Sequence, residues 1–210
     1  QTVNRPTGFF GFLVVWLGQI ISVLATNMSA FALTIFVFQK TGSATALGLV
    51  TVFFITPYLI ITPFAGVMVD RYNRKLMMMV SDLVAVSATA GVLILVALGR
   101  LEVWHLYVAS AIQGLGNTFQ WPAYSAAIST MVPKEQYGRA NGLMSLVEAG
   151  PGVLAPMLAG LVLAIPKIDG MTWILVIDVV TFLIAIGALL LLGGRLKKPR
   201  AGTDDSRHGD

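Results

Sequence analysis

The sequence predicts an all-α membrane protein, with six transmembrane helices arranged as two inverted three-helix repeats. Three observations carry this. First, 56% of the 210 residues are hydrophobic and only 11% are charged, whereas soluble domains carry about a quarter charged residues. Second, six stretches reach the roughly 20 apolar residues needed to cross about 30 Å of hydrocarbon. Third, the chain can be laid over itself at an offset of 94 positions, which pairs Gln19 with Gln113 and Pro57 with Pro151.

The six spans are Phe9–Phe38, Ser43–Val69, Leu76–Gly99, Val103–Met131, Ala140–Ile165 and Met171–Leu192. The first and fourth exceed what the bilayer requires, so they should tilt or project into the headgroups. The first is also too long for a signal-peptide core and ends in no small-residue cleavage site. Strands are excluded because a lone sheet would expose unpaired backbone to lipid. The alternating short segments of an outer-membrane barrel are absent from the sequence.

Six spans place eleven cations on one side: Arg5, Arg71, Arg74, Lys75, Lys134, Arg139, Arg195, Lys197, Lys198, Arg200 and Arg207. Lys40, Arg100 and Lys167 fall on the other. The crowded side is expected in the cytoplasm, so both termini should lie inside a bacterial cytoplasmic membrane. This distribution also accounts for the net charge of +4 without any nucleic-acid partner. The organisation expected is a cytoplasmic segment 1–8, a membrane bundle 9–192 and a basic cytoplasmic linker 193–210. Because the chain opens on Gln1 and closes on polar linker, we expect it to be a fragment of a longer protein.

Two chemistries have little material. No cysteine is present and the histidines are His105 and His208, so no metal site and no cofactor are expected. Intramembrane serine proteolysis would need a Ser nucleophile with a His base, but His105 sits at the rim of the fourth span and no Gly-x-Ser-x-Gly element occurs. The chain is therefore not expected to be an enzyme. It also has no P-loop.

The offset comparison extends through Gly48/Gly142, Pro57/Pro151 and Ala65-Gly66/Ala159-Gly160, and at 96 positions it pairs Asp82 with Asp178. Three helices cross an odd number of times, so the second triplet runs upside down relative to the first. Inverted repeats of this kind build transporters with a binding site near the midplane. A six-helix channel, or a membrane subunit of another transporter type, is the alternative. It is less favoured because no ring-forming polar filter or regular charge pattern appears.

The most informative stretch is Gly66-Val67-Met68-Val69-Asp70-Arg71-Tyr72-Asn73-Arg74-Lys75, between the second and third spans. Gly66 allows close helix approach, and Arg74 and Lys75 can face Asp70 or the last carbonyls of the second helix. This resembles the loop signature Gly-x-x-x-Asp-Arg-x-Gly-Arg-Arg of the major facilitator superfamily, with Asn73 at the second Gly. The resemblance implies a cytoplasmic gating cluster of Gly66, Asp70, Arg71, Arg74 and Lys75.

Further stretches narrow the resemblance. They are Leu17-Gly18-Gln19-Ile20-Ile21-Ser22, Thr41-Gly42-Ser43-Ala44-Thr45-Ala46-Leu47-Gly48, Pro122-Ala123, Val132-Pro133-Lys134-Glu135 and Arg139-Ala140-Asn141-Gly142. Together they are similar to the macrolide-efflux and enterobactin-exporter branch, over that family's N-terminal six-helix half. Ser110 stands where many facilitators carry Arg, and Thr26-Asn27 where this branch often has Asp.

The resemblance implies secondary active export of small amphipathic or hydrophobic molecules by alternating access, with protons as the coupling ion. It also implies a further six helices, from the same polypeptide or a second copy. An ionisable group inside a span is costly and suggests function. Glu148, among Gly and Ala neighbours, is the first candidate to load and release a proton. Asp82 and Asp178 follow, with a structural role the favoured alternative for both. Gln19, Asn27, Gln113, Asn117, Gln120 and Trp121 are candidates for the substrate cavity. Gln113, Asn117 and Gln120 recur at i, i+4 and i+7 and so share one helical face. Neutral amides beside aromatic surface suit an amphipathic, mostly apolar ligand. Interhelical hydrogen bonding is the competing role for those amides. Pro57, Pro63, Pro151 and Pro156, with Gly66, Gly142, Gly150, Gly152 and Gly160, should make the second and fifth helices bendable and closely packed. Trp104, Tyr107 and Trp173, near span ends, should anchor at the interface.

Overall fold

A computed structural model describes residues 8–72 and 74–193. All but one residue of each expected terminal segment, 1–8 and 193–210, lies outside the described residues. Six long helices follow one another: α1 (Gly8–Thr41), α2 (Ala44–Arg71), α3 (Arg74–Ala97), α4 (Val103–Met131), α5 (Tyr137–Leu163) and α6 (Gly170–Gly193), with a 3-10 turn at Lys134–Gln136 before α5. Each helix matches its expected span to within three residues at either end. The largest disagreements lie at the turns, where α1 runs three residues past its expected end and α5 begins three residues early.

Local chemistry explains the breaks. Gly42 ends α1 with φ +60°, a conformation glycine adopts without a Cβ penalty. Ser43 then caps α2, its hydroxyl accepting from the Ala46 amide at 3.4 Å. Between α3 and α4, Gly99 turns the chain at φ +63°. Pro57 and Pro63 lie within α2, and Pro151 and Pro156 within α5.

Among the described residues, α1, α2, α3, α5 and α6 each contain a stretch long and apolar enough to cross a membrane. The outward faces fit that solvent. Leu59, Ile60, Phe64, Val153, Leu161 and Ile184 are all more than 60% exposed, a perimeter suited to lipid and costly in water. Small residues fill the contacts instead: Ala65, Ala140, Ala155 and Ala159 are fully buried, as in membrane bundles, where close approach of backbones replaces the hydrophobic drive. The chain is a multi-pass membrane protein.

The packing obeys the expected repeat. Helix α4 lies along α2 and α3, while α1 lies along α5 and α6, and α3 meets α6. Exchanging α1 with α4, α2 with α5 and α3 with α6 leaves that pattern unchanged. Each triplet thus lends its first helix to the other. One apolar cluster joins Val37, Ala46, Val92, Leu106 and Leu175 from five helices. A second joins Met28 and Ala32 of α1 to Ala155, Ala159 and Ile174. Trp16 Nε1 also donates to the Leu143 carbonyl at 2.7 Å, tying α1 to α5.

The glycines behave differently from the expectation for α5. A Cβ added at Gly142, Gly150, Gly152 or Gly160 would meet nothing within 4 Å. The close approaches belong to α4 and to Gly170, where α6 opens against Val162 and Leu163 of α5. A Cβ at Gly114 would collide with the backbone carbonyl of Phe54, and one at Gly116 would come within 3.0 Å of the Ser81 carbonyl. Ser81 also donates to the Gly116 carbonyl at 2.6 Å. The inward face of α5 is Ala140, Met144, Val147, Pro151, Ala155 and Ala159, so its glycines lie on other faces.

Candidate functional site

The crossing of α1 and α4 leaves a cleft of about 90 Å³. Its polar wall consists of Ser22, Thr26 and Asn27 from α1 with Gln113 and Asn117 from α4. Phe54 of α2 and Phe182 of α6 supply aromatic surface. The wall carries amides and hydroxyls but no formal charge, and the aromatic rings give it an apolar floor. Such a mixture holds a mostly apolar ligand and orients it through a few hydrogen bonds.

Of the cavity candidates, Asn27, Gln113 and Asn117 line this cleft. Asn27 spends one donor on the Val23 carbonyl at 2.8 Å, within α1. Gln19 is 5% exposed and stands among the buried polar residues, outside the cleft lining. The side chains of Gln120 and Trp121 lie outside the described residues, as do those of Gly66, Asp70, Arg74 and Lys75 of the loop cluster. Arg71, from the same cluster, ends α2 and is exposed.

The three candidate acids occupy distinct settings. Glu148 is exposed on α5, one residue past the buried Val147 and turned away from the core stripe. Asp82 is 2% exposed on α3, beside Ser81. Asp178 on α6 is fully buried and is held by hydroxyls from two other helices. Thr26 Oγ1 donates to its Oδ1 at 2.9 Å, and Thr89 Oγ1 to its Oδ2 at 3.4 Å. Ser29 of α1 also faces the carboxyl. The Ser29 hydroxyl is buried and makes no hydrogen bond of normal geometry.

This cluster reaches the cleft at two points. Thr26 is itself part of the lining. Thr89, from the far side, accepts from Gln113 Nε2 at 3.3 Å, and Gln113 forms the opposite wall. Thr89 and Ser29 were not among the sequence candidates. A threonine within an apolar helix ordinarily satisfies itself on the carbonyl four residues back, and no spacing in the sequence marks it as a cross-helix partner.

Hydroxyl groups suit a carboxyl that changes charge, because each can donate or accept. Thr26 Oγ1 lies 3.0 Å from the Ser22 carbonyl as well as 2.9 Å from Asp178. Thr89 Oγ1 likewise lies 3.5 Å from the Ala85 carbonyl. Each threonine hydrogen has two acceptors to choose between. With Asp178 ionised, the hydroxyls turn toward it. With Asp178 protonated, one of them receives the new proton on a lone pair and frees its own hydrogen for another acceptor. The carboxyl keeps hydroxyl partners in both states without displacement of the threonine oxygens.

At the membrane ends, Trp104 and Trp173 are each 55% exposed, as interfacial anchors require. Tyr107 departs from that expectation: it is half-buried and stacks on Phe53 of α2, with ring centroids 5.3 Å apart. His105 accepts the Glu102 amide at 3.0 Å and so closes the first turn of α4.

Comparison with known proteins agrees with this architecture. Residues 15–209 match the family model described as Major Facilitator Superfamily. The chain is 29% identical over 174 residues to macrolide efflux protein A of Streptococcus pyogenes, covering 83% of this chain and 42% of that protein. It is 33% identical over 154 residues to multidrug resistance protein MdtG of Escherichia coli O1:K1, covering 71% and 36%. Over 137 residues it is 33% identical to multidrug efflux pump Tap of Mycolicibacterium fortuitum, covering 60% and 33%. The chain spans less than half the length of these relatives. With the match running through nearly all its residues, and six helices packed as two interlocked triplets around a polar cleft, the chain belongs to the major facilitator superfamily.

Proposed function

We propose that this chain forms one six-helix bundle of an exporter of small amphipathic molecules, of the drug or macrolide type, driven by protons through alternating access. The names of its relatives support the substrate class. The cleft supports it too, through neutral hydrogen-bonding groups set beside Phe54 and Phe182. A further six helices, in the same polypeptide or from a second copy, supply the opposite half against which this bundle rocks. The membrane is the bacterial cytoplasmic membrane with both termini inside, supported by the asymmetry of Lys and Arg. The loop cluster of Gly66, Asp70, Arg71, Arg74 and Lys75 acts as its cytoplasmic gate.

The proton is carried by Asp178, in preference to Glu148 or Asp82. The observation behind this is the ring of hydroxyls around its buried carboxyl, which connects to the cleft at Thr26 and Gln113. Glu148, on an exposed face, has no such environment in this bundle. Transport of a fluorescent amphipathic substrate into inverted membrane vesicles tests the assignment. Asp178→Asn should abolish accumulation driven by a proton gradient while leaving downhill flux of the same substrate intact. Glu148→Gln should leave both intact. The reverse pair of results would return the role to Glu148.

A further inference from the structure

The hydrogen-bond chain from Asp178 through Thr89 to Gln113 has a direction, and that direction depends on charge. The Thr89 hydroxyl has one hydrogen to donate and lone pairs to accept with. When Asp178 is ionised, that hydrogen points to Oδ2, 3.4 Å away. Gln113 must then offer its NH₂ end to Thr89, as it does at 3.3 Å, and its carbonyl end is left for the cleft. When a proton adds to the Asp178 carboxylate, the new O–H can donate to Thr89. The Thr89 hydrogen is released and can be donated to Gln113, which at 3.3 Å lies nearer than the Ala85 carbonyl at 3.5 Å. To accept it, the amide must rotate by half a turn, which presents NH₂ to the cleft instead. The only covalent change is formation of one O–H bond on the carboxylate.

We propose that the charge of Asp178 sets, through Thr89, which end of the Gln113 amide faces the ligand. This rests on Asp178 as the proton carrier and adds to it the means by which the proton acts on substrate. The ionised state offers an acceptor, Gln113 Oε1, to the cleft. It favours amphipathic cations bearing N–H donors, and the protonated state turns a donor against them. Proton and substrate are thereby made to exclude one another, as an antiporter requires, with no contact between them. Thr89 is a positioning residue, 2% exposed and absent from the cleft lining.

The surroundings leave the switch to Asp178. From α1 it meets Thr26 and Ser29, and from α3 Thr89. The inward face of α5 carries Ala140, Met144, Val147, Pro151, Ala155 and Ala159, without a titratable group. Asp82 lies seven residues before Thr89 on α3, about 10 Å along the helix axis. Glu148 faces away.

Two probes separate this inference from the reading beneath it. Ethidium is a cation with N–H donors, and tetraphenylphosphonium is a cation with none. Binding of both is measured as a function of pH in membrane vesicles carrying the transporter, together with proton release on binding. In the wild type, acidification should weaken ethidium relative to tetraphenylphosphonium by about tenfold, the worth of one hydrogen bond exchanged for a repulsive contact. Thr89→Val should flatten that ratio while proton release persists, and Thr89→Ser should restore it. Retained tetraphenylphosphonium binding certifies that the variants fold. A Thr89→Val protein with an undiminished pH-dependent ratio would overturn the switch, as would a wild-type ratio that does not move or ethidium that fails to bind. Asp178→Asn with proton release unchanged would instead remove the proton assignment itself.

Discussion

Among the described glycines the tightest contact lies where α4 crosses α2, and a single methyl group should measure it. Gly114→Ala places a Cβ against the Phe54 carbonyl. That neighbour is backbone within α2, so it cannot rotate aside as a side chain would. The helices must part by roughly 1 Å to restore van der Waals contact. Overpacking of this kind costs about 1–3 kcal/mol, while the gain in helix propensity from Gly to Ala returns up to about 1 kcal/mol. The net loss should be roughly 1–2 kcal/mol. At about 2–4 °C per kcal/mol for a chain of this size, the midpoint should fall by roughly 2–8 °C.

The internal control is Gly91→Ala on α3, where an added Cβ meets nothing within 4 Å and the propensity term acts alone. Thermal unfolding of the detergent-solubilised protein, followed by fluorescence-detected gel filtration, compares the two. Because Phe54 and Gln113 both line the cleft and flank this contact, the Gly114 variant should also lose affinity for substrate. A Gly114→Ala midpoint at or above wild type, or an equal fall in Gly91→Ala, would refute the argument.

Two further outcomes are expected. The chain has no cysteine, so single cysteines can report topology without background. A cysteine at Arg71 should resist a membrane-impermeant maleimide in intact cells and react in inverted vesicles, and one at Arg100 should do the opposite; the reverse pattern would invert the orientation. Asp70→Asn should cut transport at least tenfold with normal membrane insertion, measured by uptake against protein level, because the proposed gate would lose its carboxylate. Undiminished uptake would remove the loop from the mechanism.

The spans were legible because lipid imposes length and composition together. The pairing of the triplets was visible in Gln19/Gln113 and Pro57/Pro151. Facing was not legible. The helices are apolar nearly all round, so periodicity could not show that α5 turns its glycines outward while Gly114 and Gly116 meet neighbours. The same blindness left Glu148 and Asp178 indistinguishable in their surroundings. Both read as lone acids in apolar sequence, and only the fold brings Thr26, Ser29 and Thr89 to one of them. Gln113 and Asn117 were found because amides at helical spacing remain conspicuous in such a background, whereas a single threonine does not.

The exchange of first helices between triplets bears on how the molecule is made. As the chain emerges from the ribosome, α2, α3 and α4 can assemble with one another, but α1 must wait in the bilayer for partners synthesised more than a hundred residues later. Until then its polar groups, Ser22, Thr26 and Asn27 among them, have only their own backbone or an attendant insertase for company. Maturation should therefore finish in one late step, and a lesion near the C-terminal end of α6 should leave the first helix as the segment that quality control sees.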